Sequence, residues 1–129
     1  MNKILVEVSI GELLDKISIL EIKKDRIKDS AKLKFIIGEY EVLKSELEKN
    51  IKIDEKLSKL FTALKNVNSK LWIIEDDKRK CEKESDFGEN FIRLSRDVHF
   101  LNDTRAKIKL DINNHTGSKI KEIKEYTSY

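Results

Sequence analysis

Proline is absent from these 129 residues, glycine occurs four times and cysteine once. A chain without proline and with so little glycine is not cut by frequent tight turns, so long uninterrupted helices are expected. The single Cys81 has no partner for an intramolecular disulfide, which favours a reducing compartment, and with no histidine near it in sequence it reads as a small core residue. Long apolar runs are missing as well. Nothing is long enough to span a membrane, and the first eight residues are too short and too interrupted by Glu7 to serve as a signal segment. Cytoplasmic is therefore the expected location.

Charge of one sign is also missing as a block. Lys and Arg number 27 against 24 Asp and Glu, and they alternate along every segment. A net +3 distributed in this way makes a solvated surface, and a nucleic-acid partner is not expected because counterion release needs concentrated cations. No His, Cys or carboxylate set has metal-site spacing, and there is neither a glycine-rich phosphate loop nor a nucleophile elbow. No metal and no cofactor are expected.

What is present is helical periodicity, and it predicts a mainly α fold: one domain over residues 1–129, a four-helix bundle of two antiparallel hairpins. Lys3 to Val8 is rich in β-branched residues and alternates, which reads as an extended arm (3–8) needing a pairing partner. Ser9 to Glu12 has the capping-box spacing for a helix over 10–28, with Ile10, Leu13, Leu14, Ile17, Leu20 and Ile27 as its buried arc. Asp29 and Ser30 are placed to cap a helix over 31–50, striped by Leu33, Ile36, Ile37, Tyr40, Leu43 and Leu47. Asp54 is placed to start a helix over 54–84 carrying Leu57, Leu60, Phe61, Leu64, Val67, Leu71 and Ile74. Ser85 to Gly88 is the clearest turn, followed by a helix over 89–114 and a tail over 118–129 in which no period wins.

The pointed feature lies in the last helix. Leu94, Val98, Leu101, Ile108 and Ile112 form its apolar arc, Arg105 sits in the middle of that arc, and Asn102 and Lys109 lie at its edge. Folding the last two helices back about Asp86 to Gly88 sets Arg105 level with Asn68 and Leu71, and Asn102 level with Leu71 and Glu75. The candidate ligand-binding set is therefore Arg105, Asn102, Lys109, Asn68 and Glu75, with Glu21 able to join from the first helix. Such a cluster either satisfies a buried arginine, with Glu75 or Asn68 as its expected partner, or holds a carboxylate or phosphate on the guanidinium. Ile19, Ile22, Ile92, Phe100 and Leu110 lie off the main stripes and suggest a second buried surface, hence a homodimer. Two functions stay open: an oligomeric interaction or scaffold module with a possible protein partner, and a small-anion binding protein or enzyme using the Arg105 cluster.

The run from Val8 to Lys23, with Leu71 to Asp76, Asp86 to Gly88 and Leu101 to Lys109, resembles a family of small bacterial proteins of unknown function over nearly the whole chain. That resemblance implies a bacterial, cytoplasmic setting and supplies no catalytic residues. Leu13 to Ile17 is also loosely similar to the first helix of the all-helical chorismate mutases, although the arginine expected near its start is absent.

Overall fold

The computed structural model describes residues 1–129, of which 74% are helical and none are in strands. Helix α1 spans Ile10–Arg26, α2 Ser30–Asn50, α3 Glu55–Lys83 and α4 Glu89–Thr116. Three of the four starts use a side-chain cap. Ser9 Oγ accepts from Glu12 N at 3.0 Å, Asp29 Oδ1 from Lys32 N at 3.0 Å, and Asp54 Oδ1 from Leu57 N at 2.7 Å. Helix α4 instead follows Gly88, with no side-chain cap.

Two helix ends differ from the periodicity by two residues, and three others by one. Helix α1 stops at Arg26 rather than 28, because Ile27 turns to extended backbone (φ −85°, ψ 128°) so that Asp29 can cap the next helix. Helix α4 runs past 114 to Thr116, because the true stop is Gly117, at φ 68°, whose left-handed turn lets Ser118 N donate to Asn113 O at 2.9 Å.

Helices α1 and α2 pair, α3 and α4 pair, and α1 is the helix that meets all three others. The core is Leu14, Ile17, Leu47, Leu57, Leu64 and Ile112, with Ile10, Leu13, Tyr40, Leu60, Phe61 and Ile108 packed around it. Helix α2 approaches closely only α1. Of its expected stripe only Leu47 is buried, and Ile37 is exposed, because a single neighbour covers a narrower seam than a helix enclosed on several sides requires.

The second buried surface is divided. Ile22 is buried and Ile19 half-buried, whereas Ile92 and Phe100 face outward, so those two complete no internal layer. Residues 1–8 are exposed and form no strand: an extended arm gains ladder hydrogen bonds only from another strand, and none lies beside it. The tail returns along α4. Ser118 Oγ accepts from Ile10 N at 3.2 Å, and the Tyr129 ring stands edge-on to His99 and Phe100 at 5.5 and 5.4 Å while its hydroxyl donates to Asp103. Cys81 is buried in α3.

Candidate functional site: a buried Asp15–Arg105 centre beside an open cleft

Helix α1 is buried on two faces. Beside the leucine and isoleucine arc runs a second line at i, i+4, i+7, i+11, namely Gly11, Asp15, Ser18 and Ile22, all buried. Small residues on this line let α4 come close. A Cβ on Gly11 would stand 2.6 Å from the Lys109 carbonyl oxygen, and Gly11 N already donates to Asn113 Oδ1 at 2.7 Å. The close approach brings Arg105 and Lys109 of α4 onto Asp15.

Asp15, 1% exposed, is the centre of the cluster. Arg105 Nε donates to its Oδ1 at 3.0 Å and Nη2 donates to its Oδ2, a two-pronged ion pair. Asn68 Nδ2 donates to Asp15 Oδ1 at 2.9 Å and to Ser18 Oγ at 2.7 Å, and Ser18 Oγ donates in turn to the Asp15 carbonyl at 2.8 Å. Lys109 lies 3.8 Å from Asp15 Oδ2 and donates to Glu12 at 2.7 Å and to Glu122 of the tail at 3.1 Å. Two cations thus serve three carboxylates. Every buried side-chain N and O has a partner.

Burial alone would raise the Asp15 carboxyl; the hydrogen bonds from Arg105 and Asn68, then the charges of Arg105 and Lys109, outweigh it and hold it below the usual aspartate value. The Arg105 guanidinium is held above its ordinary value by the Asp15 hydrogen bond, against the opposing effect of burial. For Lys109 burial pulls downward, and the bonds to Glu12 and Glu122 win and raise it. All three stay ionised at neutral pH.

The expected partners of Arg105 are corrected by this geometry. Neither Glu75 nor Asn68 bonds the guanidinium. Glu75 pairs with Arg79 one turn away at 2.7 Å, and Asn68 shares Asp15 with Arg105 instead of touching it. Asn102 Oδ1 meets Arg105 Nη1 only at 3.5 Å. Glu21 stands apart from the cluster, accepting from Lys65 at 2.9 Å and from the Tyr40 hydroxyl at 3.3 Å. The reason is one of reach: Glu21 is nearly two turns along α1 from Asp15, on the side facing α2. Asp15 lies outside the apolar arc of α1 and so does not stand out by hydrophobic period; the small and polar Gly11, Asp15 and Ser18, in line with Ile22, are the signal that marks a second buried line.

Arg105 is not sealed. Its side chain is 29% exposed and, with Asn68, borders a cleft of about 560 Å³ open to solvent between α1, α3 and α4. Ile19, Ile22, Leu71 and Trp72 form its apolar walls, and Glu75, Asp76 and Arg79 stand at its rim. Volume and lining are in the range of small-molecule sites. No three His, Cys, Asp or Glu side chains are grouped to hold a metal, and no helix is long and apolar enough to cross a membrane.

Residues 4–129 match DUF6165, a family of unknown function, and the chain belongs to that family. No curated protein and no solved structure matches it.

Proposed function

We propose that this member of the DUF6165 family is an interaction module that self-associates through the outer face of α2. The observation that carries this reading is the uncovered face formed by Phe35, Gly38 and Val42. Phe35 is 83% and Val42 63% exposed, they lie seven residues apart on one line of the helix, and apart from the surrounding helix backbone no atom lies within 4 Å of where a Cβ on Gly38 would stand. A mid-helix glycine costs ~1 kcal/mol relative to alanine. Nothing inside the chain offsets that cost, whereas a second helix approaching from outside would use the notch.

Charge favours a second copy as the occupant. The first turns of α2 carry Lys32 and Lys34, while residues 39–50 carry Glu39, Glu41, Glu46 and Glu48 against Lys44 and Lys49. Two α2 helices crossing antiparallel about a two-fold axis, with Phe35 of one level with the Gly38 notch of its twin, set Lys32 level with Glu41 and Lys34 level with Glu39. Burying a phenylalanine or valine side chain contributes about 1.5–3 kcal/mol each, and an isologous contact counts every one twice. The exposed Ile4, Leu5 and Val6 of the arm add strand-forming surface that a neighbouring copy is placed to pair.

Sedimentation equilibrium at high micromolar concentration is the test. The native chain is expected as a dimer, and Phe35→Glu and Gly38→Leu as monomers with unchanged helix content. A native chain that stays monomeric refutes the proposal. An anion held by Arg105 and Lys109 is the alternative; it is the weaker reading because both cations are committed to Asp15, Glu12 and Glu122.

A further inference from the structure

We infer that the cleft beside Arg105 binds a neutral small molecule with an apolar body and an amide or lactam edge. The network itself fixes which atoms are free. Asp15 Oδ1 only accepts, and the Ser18 hydroxyl proton is spent on the Asp15 carbonyl, so Asn68 must present its NH2 group to both. Its Oδ1 is left over and accepts no hydrogen bond. Because no buried polar side-chain atom lacks a partner, that oxygen meets solvent, and Asn68 borders the cleft.

Arg105 leaves a complementary donor. Nε and one N–H of Nη2 are used on Asp15, which leaves the second N–H of Nη2 and the two of Nη1, met only by the 3.5 Å contact with Asn102 at the limit of a hydrogen bond. The polar edge of the cleft therefore offers one acceptor, Asn68 Oδ1, and the unused N–H groups of the Arg105 guanidinium, next to Ile19, Ile22, Leu71 and Trp72. An amide matches this pair, its carbonyl taking Nη1 and its N–H reaching Oδ1. A carboxylate can take the free guanidinium N–H groups with its two oxygens, but it brings no donor for Asn68 Oδ1.

Charge points the same way. The Arg105 charge is balanced by Asp15 at the floor, and Glu75 and Asp76 stand at the rim, where Arg79 is paired with Glu75. No uncommitted cation remains in the cleft to repay the desolvation of an anion. An isolated cation would leave Nη1 without an acceptor. A neutral donor–acceptor edge is the chemistry that satisfies both free groups.

Benzamide and benzoate are the probes, alike in size and differing in that edge. Trp72 is the chain's one tryptophan and lines the cleft, so its indole N–H resonance reports occupancy directly. Saturable Trp72 shifts are expected with benzamide at millimolar concentration, and binding of benzoate at least ~10-fold weaker, which corresponds to ~1.4 kcal/mol. Arg105→Lys keeps a cation for Asp15 but lacks Nη1, and is expected to lose most of the preference for the amide. Ile19→Phe, which narrows the cleft without touching the polar network, is expected to weaken benzamide ~10-fold or more by removing the space a ligand needs. The inference is overturned if benzoate binds as well as benzamide, if neither saturates, or if a folded Ile19→Phe binds benzamide like the native chain.

Discussion

Removing Arg105 is expected to do more harm than neutralising Asp15, and to reverse the pH dependence that Asp15 gives the fold. Arg105→Met leaves the Asp15 carboxylate, 2% exposed in its side chain, with one Asn68 hydrogen bond and an ammonium 3.8 Å away. Stranding a buried charge in this way costs ~3–5 kcal/mol. Asp15→Asn instead leaves Arg105, already 29% exposed and bordering the cleft, free to turn its head into water. That loss is of the order of a charged hydrogen bond, ~1.5–3 kcal/mol. In the native chain the Asp15 carboxyl is lower when folded than when unfolded, so its contribution is complete above the unfolded value of ~4 and is lost as the pH falls through the folded value. In Arg105→Met burial acts without the guanidinium and the carboxyl rises above its unfolded value, so acidification from neutral pH towards ~4 stabilises the variant relative to the native chain. Urea unfolding followed by far-ultraviolet circular dichroism, repeated at a series of pH values, measures both. Equal losses in the two variants, or a stability difference that does not change with pH, would refute the reasoning.

Gly11→Ala is expected to destabilise by ~1–3 kcal/mol, because its Cβ would stand 2.6 Å from the Lys109 carbonyl and α1 would have to move off α4; chemical denaturation reads this. Leu64→Ala, at a site with 0% exposure, should cost ~2–5 kcal/mol in the same assay. Lys109→Met should cost ~1.5–3 kcal/mol and also release the tail, since the bond to Glu122 is lost; faster proteolytic cleavage after Ser118 than in the native chain is the readout. A Lys109→Met tail as resistant as the native one would show that Tyr129 and its ring contacts hold the segment without Glu122.

Sequence periodicity alone determined that the chain is helical, where Ser9, Asp29 and Asp54 start their helices, and that Arg105 interrupts an apolar stripe. These are local matters: a cap needs a side chain two or three residues from the donor it satisfies, and a stripe is visible wherever apolar residues repeat at the helical period. The tertiary structure alone decided which carboxylate answers Arg105. Asp15 and Arg105 are ninety positions apart, and what joins them is the missing side chain of Gly11, which lets α1 and α4 approach. Glu75 and Glu21 had suitable chemistry, but Glu75 met Arg79 on its own helix and Glu21 met Lys65 and Tyr40 across two others. Periodicity also says that α2 has an apolar stripe without saying how much of it is covered; that depends on how many neighbours the helix has, and here α1 alone lies close. A helix face records what a neighbour would need to be, and only packing decides whether a neighbour is there.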